Sequence, residues 1–158
     1  MYIYIMSRLP KVQNAYERYS NSFSKNVCKY CGDFNITTMF EGIEINQLVE
    51  QTTSFWIIQN SFPYKIWDKY KVISHLLVIP KEHIINLGIM YKSDWSRLNY
   101  ILSKYEAQGY STYIKSNGNG AGAISHLHFD LIKLEPKQIK WIVYKDNPYI
   151  LLTNQNGE

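Results

Sequence analysis

Long apolar runs are missing from this chain. A membrane-crossing helix needs about 18–20 consecutive apolar residues, so no such anchor is expected. Blocks of positive charge are missing too: no Lys/Arg run exceeds two residues, which argues against a basic tail wrapping a nucleic-acid backbone. Cysteine is scarce, with only 2 residues, Cys28 and Cys31, which excludes a disulfide-stapled secreted scaffold. The opening "MYIYIMSRLP" is apolar in part but has no basic region ahead of it, so it does not read as a signal peptide. A cytoplasmic protein is the expectation. Histidine is also rare, at 4 residues, so where each one stands carries information.

What is present is globular. Hydrophobic residues make up 46% of the 158 and charged residues 19%, enough for one domain over 1–158 with a real core. The formal net charge of +4 permits anionic partners, although scattered surface lysines account for it.

The pattern along the chain alternates between element types. Val12, Tyr16, Tyr19 and Phe23 recur at helical spacing after Pro10. Segments 36–45, 52–60, 72–80, 111–116 and 123–134 are β-branched or aromatic and read as strands. Segment 60–71 reads as a loop, 117–122 as a Gly-rich loop, and 140–145 and 149–153 as edge strands. Ser93 is expected to cap a helix carrying Trp95, Leu98, Leu102 and Tyr105, ended by Gly109. Strands without regular βα alternation imply an α+β fold, mainly an antiparallel sheet with a long packed helix.

The chemistry concentrates in "AISHLHFDLI". On a strand, His126, His128 and Asp130 share one face and Leu127, Phe129 and Leu131 the other. Two histidines and a carboxylate have the composition of a mononuclear iron site, although such ligands usually come from separate elements. The dinuclear metal pattern that HxHxD also suggests continues directly with another His, and position 131 is Leu. The "CKYC" knuckle at 28–31 is too tight for an ordinary structural disulfide. It lacks the strand-then-helix setting of a thioredoxin-type redox pair. A metal reading suits it better, since two thiolates and two imidazoles make a closed tetrahedral zinc site.

The strings "NSFPY", "SHLLVIPKEH" and "NGNGAGAISHLHFDLI" together resemble the histidine triad superfamily, near its dinucleoside polyphosphate phosphorylase and hexose-phosphate uridylyltransferase branches. The resemblance covers residues 28 to about 134, leaving the N-terminal helix and the C-terminal extension outside it. It implies a histidine triad fold and a nucleotidyl hydrolase or transferase acting on nucleotides such as phosphoramidates or dinucleoside polyphosphates. It casts His128 as the nucleophile that forms a nucleotidyl-histidine intermediate, with phosphate contacts from Asn117 and Gly122 and a ribose contact from Asn60. It implies structural zinc on Cys28, Cys31, His83 and His126, leaves His75 to support the site from behind or to pack, and brings the expectation of a homodimer.

One position departs from the family. Its third triad residue is His or Gln, a donor to phosphate; here it is Asp130, which cannot donate when ionised. At about 4 Å and an effective dielectric near 20, a carboxylate would repel a phosphate charge by roughly 4 kcal/mol. Asp130 is therefore expected to be protonated, turned towards Lys133, paired with a cation, or matched to a positively charged substrate. Otherwise the chain is a catalytically degenerate nucleotide-binding or regulatory module. An enzyme acting on nucleic acid ends is a third reading.

Overall fold

A computed structural model describes residues 8–23, 27–32, 34, 38–45, 47–115, 125–139, 141–143 and 150–152. Pro10 starts the first helix, α1 (Pro10–Asn21), at a position where its missing N–H breaks no helical bond. The segment read as one strand over 36–45 is a hairpin instead. Its strands β1 (Thr38–Phe40) and β2 (Ile43–Ile45) pair antiparallel. The physical reason is the turn between them: Glu41 and Gly42 take φ of 49° and 79°, the left-handed pair that closes a two-residue hairpin.

The main sheet follows. It is built from β3 (Leu48–Gln51), β4 (Phe55–Gln59), β5 (Ile66–Trp67), β6 (Tyr70–Pro80), β7 (Tyr110–Ile114) and β8 (Phe129–Gln138). Strand order is β3-β4-β6-β8-β7, with β5 paired to β6, and every pairing is antiparallel. Segment 60–71 thus contains a short strand where a loop was expected. Between β6 and β7 runs helix α2 (Lys92–Glu106). Its first turn carries Asp94, but Tyr91 precedes it and no side chain caps it, so Ser93 is not the cap. Gly109, at φ 87°, makes the left-handed exit into β7. The segments read as edge strands form a separate hairpin of β9 (Trp141–Val143) and β10 (Ile150–Leu152).

Alternation along the strands divides the core. Phe55, Ile57, Leu76, Val78, Phe129 and Leu131 face α2 and pack against its Leu98, Ile101 and Tyr105. The opposite face carries Trp56, Ile58, Leu77 and Ile79 against Phe34, and Tyr64 and Val72 against Ile132. Asp130 alternates with Leu131, so it projects on that second face, opposite α2.

Strand β8 begins at Phe129, not at residue 123 as the alternating pattern suggested. Its last pairing with β6 is Phe129 with Val78, two residues before Pro80 ends that strand. The N–H of Leu127 instead donates to the Ile84 carbonyl at 2.7 Å. His126, in a bend, and His128 therefore stand in the approach to the strand, tied to the segment after Pro80. The Gly-rich segment 117–122, with Asn117 and Gly122, lies outside the described residues. No helix among the described residues is long and apolar enough to cross a membrane.

Candidate metal and nucleotide site

The bond between Leu127 and Ile84 places two histidine-bearing segments side by side, and the rings of His83 and His126 lie 4.8 Å apart between centres. The 28–31 turn closes on them. One ligand atom from each of Cys28, Cys31, His83 and His126 lies within 4.8 Å of all the others. Cys31 Sγ is 3.0 Å from His83 Nδ1, and His126 Nδ1 is 3.4 Å from Cys28 Sγ and 3.6 Å from Cys31 Sγ. A tetrahedral ion with bonds of about 2.3 Å to sulfur and about 2.0 Å to nitrogen puts S and N roughly 3.5 Å apart. The donor set and its spacing fit such an ion, and both cysteines are free thiols.

The protonation states fit as well. His126 is 1% exposed, and its Nε2–H donates to the Pro80 carbonyl at 3.0 Å, which leaves the Nδ1 lone pair facing the sulfurs. Burial, reinforced by His83 and His128 and opposed by the Pro80 carbonyl, pushes its pKa down to about 4. The Cys31 thiol is pushed up to about 11, first by burial and then by Cys28. A bound cation reverses that preference and draws the proton off.

His128 is positioned by the same backbone. Its Nδ1–H donates to the His126 carbonyl at 2.9 Å, so Nε2 keeps the lone pair. Tyr30, from inside the cysteine knuckle, packs edge-on against His128 with ring centres 5.2 Å apart, and against His126 at 6.1 Å. Burial and the charge of Asp130 hold the Tyr30 phenol well above its ordinary pKa, so it is protonated.

Asp130 is 4% exposed and His75 0%. They are bonded to each other, His75 Nε2 to Asp130 Oδ1 at 2.7 Å. The other ring nitrogen settles which one carries the proton. The backbone N–H of Tyr64 points at His75 Nδ1, 3.2 Å away; a backbone N–H can only donate, so Nδ1 accepts and Nε2–H donates to the carboxylate. His75 is also a hub for the turn after β4. Its carbonyl accepts from the Asn60 N–H at 2.9 Å and from Gln59 Nε2 at 3.1 Å, and Tyr64 stacks on its ring at 5.1 Å. The Asn60 amide lies within hydrogen-bond distance of the ring, while its Oδ1 accepts from Phe62 N–H at 2.9 Å. Asn60 thus sits beside His75 rather than alone.

The expectation that Asp130 turns to Lys133 fails on strand parity. Lys133 projects to the α2 side, with its Nζ over the Tyr110 ring. Nor do His126, His128 and Asp130 converge on one ion, since His126 faces the cysteines and Asp130 faces His75. The sequence reading missed Tyr30 and Tyr64, and of His75 it says only that it supports the site or packs. Tyr30 had a signal: a residue between two converging cysteines is carried to the site with them.

Neither a family model nor a curated protein sequence matches the chain. Solved structures do. A histidine triad protein from Clostridium difficile aligns with TM-score 0.50 and 17% identity, over 76% of this chain and 100% of that one. A hypothetical protein from Leishmania major aligns with TM-score 0.50 and 21% identity, over 75% and 83%. A HIT family hydrolase from Legionella pneumophila aligns with TM-score 0.46 and 21% identity, over 73% and 97%. At these identities the likeness is one of fold: α+β, with the mostly antiparallel sheet of the histidine triad proteins.

Two outcomes follow from this geometry. Asp130→Asn keeps an acceptor oxygen for His75, whereas Asp130→Leu leaves a buried N–H unpaired. The Leu variant should be less stable than the Asn variant by about 1–3 kcal/mol in urea unfolding, and equal stability would contradict the bond. Metal-stripped protein should lose stability as pH falls from about 6.5 towards about 4. The folded-state pKa of His126 lies below the unfolded value, so the unfolded chain binds the proton first. A melting temperature flat across that window would contradict a buried neutral His126.

Proposed function

We propose that this chain is a nucleotide-binding protein of histidine triad type, working as a nucleotidyl hydrolase or transferase through His128. The observation that carries this reading is the hydrogen bond from His128 Nδ1 to the His126 carbonyl, which frees Nε2 for attack. In the first step Nε2 bonds to the α-phosphorus of a nucleotide and the bond from phosphorus to the leaving group breaks. In the second, water or another acceptor displaces the histidine and the P–N bond breaks. Splitting one difficult displacement in two is the gain of covalent catalysis. Asn60 would meet the ribose, and Asn117 and Gly122 the phosphate. A second reading, a binding module without turnover, is favoured by Asp130, because its carboxylate replaces a donor next to the reacting phosphate.

Cys28, Cys31, His83 and His126 would hold zinc. All four positions are then filled by protein, so the ion's chemistry is structural: it fixes the knuckle and the approach to β8. Tyr30 and His128 would be held in place through it.

Protein purified without chelator should carry about one zinc per chain. Cys28→Ser should lose it and melt lower, and a variant with unchanged metal content and melting would rule the site out. His128→Ala should reduce turnover of a nucleoside phosphoramidate or dinucleoside polyphosphate at least about a thousandfold, while nucleotide binding persists. Acid-labile nucleotidylation of His128, trapped by rapid quenching and seen by mass spectrometry, should accompany wild-type turnover. If His128→Ala turned over at the wild-type rate, the covalent route would be wrong.

A further inference from the structure

Two cations that the mechanism above does not use gather on the ring of Tyr64. Lys115 Nζ donates to the Tyr64 hydroxyl at 2.8 Å. The Arg8 guanidinium lies 4.6 Å from the Tyr64 ring centre and 4.3 Å from that of Tyr16, steered by its bond from Nε to the Phe62 carbonyl at 2.7 Å. Strand register brings the Lys115 end of this pair close to Asp130. Strands β7 and β8 match Tyr113 with Asp130 and Ile114 with Phe129, so Lys115 and His128 each adjoin the last pair of these two strands. Alternating with Ile114, Lys115 faces the same side as Asp130.

The charges there do not cancel. Arg8 and Lys115 bring two positive charges and Asp130 one negative, while His75 is neutral because Nδ1 accepts the Tyr64 N–H. Neither cation makes an ion pair with a carboxylate among the described residues. Asp130 Oδ2 is buried without a partner among them, so the cations are not spent on it. They rest on π faces and a hydroxyl, an arrangement that keeps them charged and in place. Burial pulls the pKa of Lys115 down, but the Tyr64 hydroxyl and the charge of Asp130 outweigh it.

We propose that Lys115 and Arg8, carried on Tyr64, form the anion subsite that holds the phosphate attacked by His128, taking over from the donor that Asp130 cannot be. This rests on the nucleotide reading above. Asp130, bonded to His75, sets the position of Tyr64 and so of the two cations, and acts as a positioning residue.

Titration calorimetry with AMP and with adenosine separates the phosphate contribution from the nucleoside. Wild type should bind AMP more tightly than adenosine. Lys115→Gln should weaken AMP about tenfold or more, and Lys115→Gln with Arg8→Gln about a hundredfold, each charge-assisted contact being worth at least a decade. Adenosine should change less than about twofold, and Lys115→Arg should restore most of the AMP affinity. If Arg8→Gln loosens α1, seen as a lower melting temperature, Lys115→Gln alone decides. Unchanged AMP affinity in Lys115→Gln would overturn the subsite while leaving nucleotide binding intact. A wild type that binds neither ligand would overturn the nucleotide reading and the subsite with it.

Discussion

His126 is the residue on which the site depends, because three of its polar groups are committed in different directions. Nε2–H is on the Pro80 carbonyl, Nδ1 faces the two sulfurs, and its own carbonyl receives Nδ1–H of His128. The first bond fixes the tautomer, the second closes the donor set, and the third aims the next histidine. None of these could be exchanged for water without loss, since the imidazole is buried and its polar groups need partners. Proline at the end of β6 contributes twice, stopping the strand and offering a carbonyl whose residue needs no N–H partner of its own. The Cys/His corner and the ring of His128 are thus held by one piece of backbone.

For the proposed phosphate site, the carboxylate at position 130 looks at first like a fault. Its burial against His75 changes the balance. An ionised carboxylate facing a phosphate would oppose it, whereas one accepting a short bond from a neutral imidazole, with Lys115 and Arg8 close by, leaves the surroundings positive overall. The same bond holds the turn from Asn60 to Tyr64 against β8, so a residue on β8 sets the geometry of a segment distant in sequence.

The α+β class and the antiparallel sheet were legible because strand and helix periods differ, and short apolar segments stopped by proline, such as "SHLLVIP", leave little choice. Boundaries were less legible. The hairpin over 38–45 turns on Glu41 at positive φ, a conformation no pattern of apolar residues announces. The late start of β8 depends on where β6 ends, which is a tertiary fact. In the site, the set Cys28, Cys31, His83 and His126 was legible only through the family resemblance, because the CxxC spacing by itself names no histidine partner. The direction of Asp130 was not, since its partner lies 55 residues away and the sign of that bond is set by the Tyr64 N–H. Arg8 and Lys115 belong to no motif; only the fold brings them to one ring.

The most direct measurement is a crystal structure of the wild-type protein with AMP, read at His128 and Asp130. The expected result has the phosphorus about 3–3.5 Å from His128 Nε2 in a line suited to attack, with Asp130 still bonded to His75. A phosphate bound away from His128, or Asp130 turned off His75 to face it, would contradict the assignment of His128 as nucleophile and of Asp130 as its neighbour's anchor.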